Sequence, residues 1–331
     1  MREVRARVIS QEKGLYKLRC ENGVKQASVS GKFRYEARTV SSYPAVGDFV
    51  LAEWPADESP ATIRSLFPRK SCFLRRAAGS AKQEQVVAAN IDTVFLCMSL
   101  NQNFNLRRLE RYLSIAYDSG AEPVVVLTKA DLCPNVEEKI AQVRNVAPGA
   151  EILAVSSLTN DFDAVLPYIQ PEKTVAFLGS SGVGKSTLIN RLTGAETMAT
   201  GAIGNEDKGR HTTTHRELIA LANGAFLIDT PGMRELGLWD SAEGIDTAFR
   251  DIEELARACK FSNCTHTKEP GCAIQAALKD GTLEQARWDS FRKLKQENAA
   301  AADNSRYLEA KRAKFKEISK INKASRKKLD R

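Results

Sequence analysis

The fold is decided by the stretch Gly179-Ser180-Ser181-Gly182-Val183-Gly184-Lys185-Ser186-Thr187. This stretch follows an apolar run, Val175 to Leu178, and opens a segment of helical character, Leu188 to Leu192. A strand, a glycine-rich loop and a helix in this order are typical of a phosphate-binding loop. Glycines let backbone N–H groups converge on phosphate oxygens, and the helix N-terminus adds a favourable dipole. A chance glycine-rich turn would not bring this context with it.

Two segments are predicted to serve the phosphates and a magnesium ion. In the loop, Lys185 is expected to reach the β- and γ-phosphates, and the Ser186 hydroxyl to bind Mg²⁺. Further along, Asp229-Thr230-Pro231-Gly232 ends the apolar run Phe226 to Ile228. There the Asp229 carboxylate can hold Mg²⁺ through its water shell, and Gly232 can offer its N–H to the γ-phosphate.

A third motif indicates which base the nucleotide carries. Thr128-Lys129-Ala130-Asp131 ends the apolar run Val124 to Leu127 and resembles the Asn-Lys-x-Asp motif by which GTPases recognise guanine. Asp131 would accept two hydrogen bonds from guanine, which adenine cannot provide, and the Lys129 stem would cover the base. Thr128 replaces the commoner Asn. Ser156 and Ser157, after Ile152 to Val155, would complete the base pocket with a backbone N–H.

The order of these motifs differs from that of ordinary GTPases, which carry the phosphate loop first and the base motif last. Here the base motif and the two serines precede the loop. Each motif still follows a predicted strand, and the carboxyl ends of parallel strands form one ligand-binding edge. The sequence therefore predicts the same pocket in a circularly permuted chain.

The segment Gly209-Arg210-His211-Thr212-Thr213-Thr214 lies between the loop and Asp229. One of its threonines, for which we favour Thr213, is expected to complete Mg²⁺ coordination when GTP is bound. The residue after Gly232 is Met233, which cannot orient water as the glutamine of many GTPases does. We therefore take His211 as the internal candidate for a catalytic role, although it can equally contact a partner's RNA.

The length of 331 residues predicts several cores in a multi-domain α/β protein. Residues 1–69 read as about five short strands, which suit a small barrel of the oligonucleotide-binding (OB) type or of the SH3 type. Residues 70–237 alternate buried strands with helices and include a hairpin at Asn223-Gly224, as expected of the permuted nucleotide domain. Residues 238–331 read as helical and end in a basic tail.

Composition and charge narrow the class of protein. The chain has 49 Lys and Arg against 41 Asp and Glu, and the net charge of +8 fits a polyanionic partner. It has no membrane-length apolar run, and Met1-Arg2-Glu3-Val4-Arg5 lacks the features of a secretory signal. We expect a cytoplasmic monomer with no membrane partner. The tail from Lys311 is open to two interpretations, an RNA-binding helix or a solvated charged end.

A cluster of cysteines and one histidine interrupts the helical region. Cys259, Cys264, His266 and Cys272 supply three thiolates and one imidazole, the usual donors of a closed tetrahedral zinc site. Clustered cysteines in a cytosolic protein more often bind metal than form disulfides. Because all four positions would be taken by protein, the sequence predicts one structural zinc ion.

These features together resemble the RsgA (YjeQ) family of small ribosomal subunit biogenesis GTPases. The resemblance covers nearly the whole chain, and residues 128–131, 209–214 and 229–232 look like the family's own versions of these motifs, including Thr128. It implies that the barrel and the zinc module bind the small subunit and its rRNA, and that GTP is hydrolysed to GDP, with stimulation by the subunit, late in maturation. Two alternatives remain: a permuted GTPase acting on the large subunit, and a non-enzymatic RNA-binding protein with a structural nucleotide.

Overall fold

The structure is a computed structural model that describes residues 2–12, 14–37, 39–76, 84–156, 162–193, 216–229 and 242–301. The chain begins with a small barrel, continues into a mostly parallel sheet with helices on both faces, and ends in a group of helices. In these ranges, none of the helices combines the length and the apolar character needed to cross a bilayer.

Five strands form the barrel: β1 (Arg2–Glu12), β2 (Leu15–Cys20), β3 (Gly23–Val29), β4 (Phe49–Trp54) and β5 (Ala61–Leu66). They follow one another in the order β1-β2-β3-β5-β4, and β4 pairs again with β1, so the barrel is closed. β3 and β5 run parallel, and helix α1 (Gly31–Glu36) lies between β3 and β4 in the chain. This arrangement is that of an OB barrel, which decides between the two barrel types that the sequence left open.

The barrel core follows from alternating side chains. In β4, Val50, Ala52 and Trp54 are buried, and their neighbours are only partly covered. Helix α1 closes one side of this core, where the Phe33 ring packs inward. Ser30 caps the start of this helix by accepting a hydrogen bond from Phe33 N at 3.1 Å.

The central sheet contains five parallel strands and one antiparallel strand. The strands are β8 (Thr93–Ser99), β9 (Glu122–Thr128), β10 (Glu151–Ala154), β11 (Thr174–Leu178), β12 (Arg216–Ala220) and β13 (Phe226–Asp229). Their order in the sheet is β10-β9-β8-β11-β13-β12. Every residue of β8 and β11 is buried, as predicted for strands covered on both faces. β12 and β13 pair antiparallel, which confirms the hairpin expected at Asn223-Gly224.

Helices cover the two faces of this sheet. Val94, Leu96 and Met98 of β8 face α2 (Leu106–Ser119) and α3 (Val136–Val146), whereas Phe95 and Cys97 face α4 (Lys185–Thr193). The face that carries α2 also receives the C-terminal helices. These are α5 (Ala242–Ala248), α6 (Arg250–Arg257), α7 (Ala273–Asp280) and α8 (285–301). The predicted helical character is therefore confirmed over 242–301, where the structure shows no strand.

Strand β1 joins the barrel to the central sheet. Its last residues pair with β12, Ser10 opposite Glu217 and Gln11 opposite Arg216, so eleven strands form one continuous sheet. Beside this junction the buried Arg7 guanidinium donates to Thr174 Oγ1 at 2.5 Å and lies over the rings of Phe49 and Phe226. Burial lowers the pKa of Arg7 to about 10, which still leaves it charged at neutral pH.

Three elements were not named from the sequence. β1 carries several arginines and reads as polar, and α1 is only six residues long. The third is a separate two-stranded sheet, β6 (Cys72–Arg76) with β7 (Glu84–Ala89), which stands between the barrel and β8 in the chain.

Candidate functional site

The predicted phosphate loop connects β11 to α4, as the sequence indicated. The loop spans residues 179–184, and α4 begins at Lys185. Gly182 and Gly184 have φ of +75° and +95°, values that favour glycine. A Cβ on Gly179 would lie 2.5 Å from the carbonyl oxygen of Cys97 in β8. Glycine at that position thus lets the start of the loop lie directly against the neighbouring strand.

Lys185 lies over this loop with only 7% of its surface exposed. Its Nζ donates to the carbonyl oxygens of Gly179 at 2.6 Å and Ser180 at 2.5 Å. These two bonds hold the ammonium group beside the backbone of the phosphate loop. Ser186 and Thr187 occupy the first turn of α4, where the helix dipole also favours an anion.

The predicted base motif contacts the phosphate loop directly. The Thr128 hydroxyl donates to the carbonyl oxygen of Val183 at 2.5 Å, and Lys129 Nζ donates to that of Gly182 at 2.9 Å. Lys129 has φ of +59°, so the chain turns sharply where β9 ends. These two bonds fix the position of the segment 128–131 relative to the loop.

Asp131 is positioned by the strand on its other side. Ser156 Oγ donates to Asp131 Oδ1 at 2.5 Å, and Ala130 N donates to the carbonyl oxygen of Val155 at 3.2 Å. The two segments predicted to read the base therefore meet, with Ser156 and Thr128 buried and Asp131 exposed. Ser157 lies outside the described residues.

The predicted magnesium site is described only in part. β13 runs parallel to β11 and ends at Asp229, which brings the backbone of Asp229 to the same edge of the sheet as the loop. Thr213 and Gly232 lie outside the described residues, as do His211 and Met233. Their assigned roles stay predictions.

One basic residue at this site has no signal in the sequence. Arg108, in the first turn of α2, donates from Nη1 to Ser180 Oγ in the phosphate loop at 3.0 Å. The Asn105 side chain caps α2 by accepting from Arg108 N, which fixes the helix start beside the loop. The two partners lie 72 positions apart, so only the fold shows that they meet.

The cysteine and histidine cluster forms a second centre, between α6 and α7. Cys259, Cys264, His266 and Cys272 place their ligand atoms within 4.8 Å of one another. Cys259 Sγ lies 3.9 Å from Cys272 Sγ and 3.5 Å from His266 Nδ1. A tetrahedral zinc site requires about 3.8 Å between two sulfurs and about 3.6 Å between sulfur and nitrogen. The donor set and its spacing therefore fit a tetrahedral metal ion.

The loop between these ligands is held by its own side chains. Glu269 accepts hydrogen bonds from Thr265 N and from the backbone N–H of Thr267 and Lys268. The Thr265 hydroxyl and these backbone groups hold the pKa of Glu269 well below its usual range. Cys272 Sγ caps α7 by accepting from Gln275 N. A ligand of the cluster therefore also fixes the start of a helix.

The parallel sheet, the phosphate loop at its edge and the base motif bound to that loop from an earlier strand define a circularly permuted P-loop GTPase. A family model described as RsgA GTPase matches residues 66–239, and the chain belongs to this family of GTP-hydrolysing enzymes.

The chain is similar to named relatives and to solved structures over most of its length. The Small ribosomal subunit biogenesis GTPase RsgA 2 of Lactiplantibacillus plantarum is 48% identical, with 93% of this chain and 87% of that protein covered. The Small ribosomal subunit biogenesis GTPase RsgA of Opitutus terrae is 47% identical, with 90% and 84% covered. The crystal structure of YloQ, a circularly permuted GTPase, is similar with a TM-score of 0.64 at 27% identity, covering 89% of this chain and 95% of that one. YjeQ from Thermotoga maritima shares the fold, with a TM-score of 0.66 at 23% identity and 88% and 97% covered.

Proposed function

We propose that this GTPase binds the small ribosomal subunit through its rRNA and acts in late maturation, hydrolysing GTP to GDP and phosphate with stimulation by the subunit. The observation that carries this proposal is the architecture around the nucleotide site. An OB barrel precedes the permuted domain and a Cys3His cluster follows it, and relatives of this architecture are named for small-subunit biogenesis.

The residue roles in this proposal follow the contacts of the site. Asp131, held by Ser156, recognises guanine. Thr128 and Lys129 hold this aspartate next to the phosphate loop. Residues 179–187 bind the phosphates, with Lys185 stabilising charge in the transition state. Mg²⁺, when bound with GTP, neutralises phosphate charge, and Ser186, Thr213 and Asp229 are the residues that would hold it.

We further propose three functional units. These are the barrel at 1–69, the GTPase domain at 70–237 and a zinc-binding unit with a basic tail at 238–331. The extent of the family match, 66–239, supports the middle unit, and the cluster geometry supports zinc in the last. We expect the protein to work as a cytoplasmic monomer.

The test is a single-turnover GTP hydrolysis assay of the purified protein alone, with small subunits and with large subunits. The expected result is slow hydrolysis alone and faster hydrolysis only with small subunits. Stimulation by large subunits alone would favour the large-subunit alternative. An absence of hydrolysis under every condition would favour an RNA-binding protein with a structural nucleotide.

His211 carries a separate prediction about the source of the catalytic group. Because Met233 cannot orient water, the faster hydrolysis expected with the subunit should depend on a group that is positioned only when the subunit binds. His211→Ala should remove most of the stimulation and leave the GTP dissociation constant nearly unchanged. Stimulation that persists in full in this variant would place the catalytic group elsewhere.

A further inference from the structure

The first turn of α2 carries a charged side chain that reaches the phosphate loop. Arg108 is half-buried and donates from Nη1 to Ser180 Oγ at 3.0 Å. Ser180 belongs to the phosphate loop, whereas Arg108 lies outside every nucleotide-binding motif of the chain. A hydrogen bond from a charged donor is stronger than one between two neutral groups. This contact can therefore help to decide where the loop lies.

The charge of Arg108 is not neutralised in the way that the charges of its neighbours are. Arg107 pairs with Glu110, and Arg111 pairs with Glu297. Arg108 forms no ion pair with any carboxylate in the ranges given above. Its guanidinium group therefore adds positive potential beside the loop, which favours an anion there.

Other side chains also hold the phosphate loop. The base motif is bonded to its second half, and Lys185 donates to the carbonyl oxygens of Gly179 and Ser180 in its first half. Because Lys185 is also expected to reach the β- and γ-phosphates, a bound nucleotide competes with these two bonds. In the part of the chain that the structure describes, Arg108 supplies the side-chain bond to residues 179–181 that does not come from Lys185. This bond can persist when the phosphates bind.

Helix α2 is a fixed support for this bond. The Asn105 side chain caps the helix by accepting from the backbone N–H of Arg108 at 3.0 Å. Leu109 and Leu113 of the same helix are fully buried in the core, and Glu110 is held by a buried ion pair with α8. The Arg108 side chain therefore extends from a helix that is held at its start and along its inner face.

We propose that Arg108 is a positioning residue for the nucleotide: through the Ser180 hydroxyl it holds residues 179–181 in the conformation that accepts the β- and γ-phosphates. A loop that is in this conformation for a smaller fraction of the time binds more weakly, because the apparent dissociation constant is the intrinsic one divided by that fraction. Once GTP is bound the loop is in place, so Arg108 should affect affinity and not the rate of hydrolysis. The inference rests on the proposed role of residues 179–187 in binding the phosphates.

The main test measures the affinities of GTP and GDP for Arg108→Ala by isothermal titration, and that of GMP by competition. GTP and GDP should bind on the order of tenfold more weakly, since a charged hydrogen bond is lost. GMP lacks the β- and γ-phosphates and should bind nearly as it does to the wild type. Unchanged affinities for GTP and GDP would overturn the proposal, as would an equal loss for GMP, which would indicate a general loosening of the site.

Arg111→Ala is the matched control for this variant. It removes a neighbouring arginine of α2 that pairs with Glu297 at the surface and does not contact the loop. All three nucleotides should bind to it as they do to the wild type. The Asn105 cap uses the backbone of Arg108 and is kept in Arg108→Ala, so an unchanged thermal midpoint is expected and shows that the variant is folded.

A double-mutant cycle tests whether Arg108 acts through Ser180. Ser180→Ala removes the acceptor and should reproduce most of the loss for GTP and GDP. The variant with both changes should bind no more weakly than Arg108→Ala, because the two residues share one bond. Additive losses, or a Ser180→Ala variant that binds as the wild type does, would mean that Arg108 acts on the phosphates directly, and the positioning role would be wrong.

Single-turnover hydrolysis at saturating GTP supplies a readout that separates positioning from catalysis. Arg108→Ala should hydrolyse bound GTP at the rate of the wild type. A slower rate at saturation would place Arg108 among the groups that stabilise the transition state, and the positioning role would again be wrong.

Lys185→Ala distinguishes a failure of this inference from a failure of the proposed site. If Lys185→Ala binds GTP as tightly as the wild type, the proposed role of residues 179–187 fails. If Lys185→Ala weakens binding and Arg108→Ala does not, only the positioning role of Arg108 fails.

Discussion

At the scale of single residues, Thr128 explains how the base motif keeps its place without the commoner asparagine. Its hydroxyl donates to the carbonyl oxygen of Val183 at 2.5 Å, and a Cβ on Gly184 would lie 3.6 Å from that hydroxyl. β9 and the phosphate loop are therefore in direct contact through a short side chain. A change at Thr128 should act on the nucleotide through the loop as well as through the base.

Thr128→Val removes the hydroxyl and keeps the shape of the side chain. The buried carbonyl of Val183 would lose its donor, at a cost of about 1–3 kcal/mol. We expect GTP and GDP to bind at least about fivefold more weakly in isothermal titration, since a loss of 1.4 kcal/mol is tenfold in affinity. Thr128→Ser, which keeps the hydroxyl, should bind nearly as the wild type does. Equal affinity in the valine variant would show that the bond does not support binding.

Asp131→Asn tests base recognition at the same site. The carboxylate accepts from Ser156 and is predicted to accept twice from guanine, and an amide replaces one acceptor with a donor. GTP binding should weaken and the preference for GTP over ATP should narrow. Competition binding of both nucleotides gives the ratio. A wild-type protein that binds GTP and ATP equally would contradict the assignment.

Single residues also show where prediction from sequence stops. Short motifs could be read because their spacing is local, and the residues 179–187 do form a loop between a strand and a helix. Arg108 and Ser180 meet only after folding, and Glu269 is one acidic residue among many until its loop closes around it. The contact of Arg108 leaves no local pattern because 72 positions separate the partners, whereas the bonds of Glu269 join it to residues one to four positions away.

At the scale of elements, the contact between α2 and α5 is unusually close because Gly244 has no side chain. A Cβ at this position would lie 2.1 Å from the carbonyl oxygen of Ser114 and 2.7 Å from Asp118 Cβ. α5 is the first described element after β13, which ends at Asp229. The backbone of α5 thus rests directly on the helix that also carries Arg108.

Gly244→Ala should push these helices apart, since the obstructing atoms include backbone. We expect a loss of about 1–3 kcal/mol in the free energy of unfolding, measured by urea denaturation. Gly31→Ala is the matched control: Gly31 also lies in a helix, and a Cβ there would meet nothing within 4 Å. Its stability should stay within about 1 kcal/mol of the wild type. A Gly244 variant as stable as this control would contradict the packing argument.

Strands buried on both faces could be predicted because their burial shows as an uninterrupted apolar run. β8 and β11 are of this kind, and they lie where the sequence placed them. β1 escaped prediction because it buries Arg7, whose charge is accommodated by Thr174 Oγ1, the Gly47 carbonyl and two aromatic rings from other elements. A buried arginine looks polar in a sequence until its partners are known.

At the scale of the whole molecule, the C-terminal helices are fastened to the GTPase domain by a buried ion pair. Arg287 of α8 donates to Glu110 of α2 at 2.9 Å, and Ser290 donates to the other carboxylate oxygen at 2.5 Å. Glu110 lies two positions from Arg108, which contacts the phosphate loop. α2 therefore connects the phosphate loop with the C-terminal helices. The sequence predicts helical character for the C-terminal unit but does not indicate which helix of the GTPase domain would hold it.

Removal of the predicted zinc ion should loosen this unit selectively. α6 and α7 are eight residues each, too short to be stable alone, and Cys272 is both ligand and cap for α7. Cys264→Ser should lose zinc, and hydrogen exchange should speed up across α6 and α7 while β8 and β11 stay protected. Cys20→Ser, a cysteine of the barrel, should retain one zinc ion by elemental analysis. Wild-type protein purified without chelator and free of zinc would contradict the prediction.

Because β1 belongs to both the barrel and the central sheet, the two are not separate domains joined by a flexible linker. A loose tether would let the barrel sample many orientations, and those would have to be lost again on docking. A common strand instead holds the barrel at a fixed distance from the nucleotide pocket. A partner that contacts both the barrel and the GTPase domain would therefore bind at a smaller entropic cost than it would to two flexibly tethered domains.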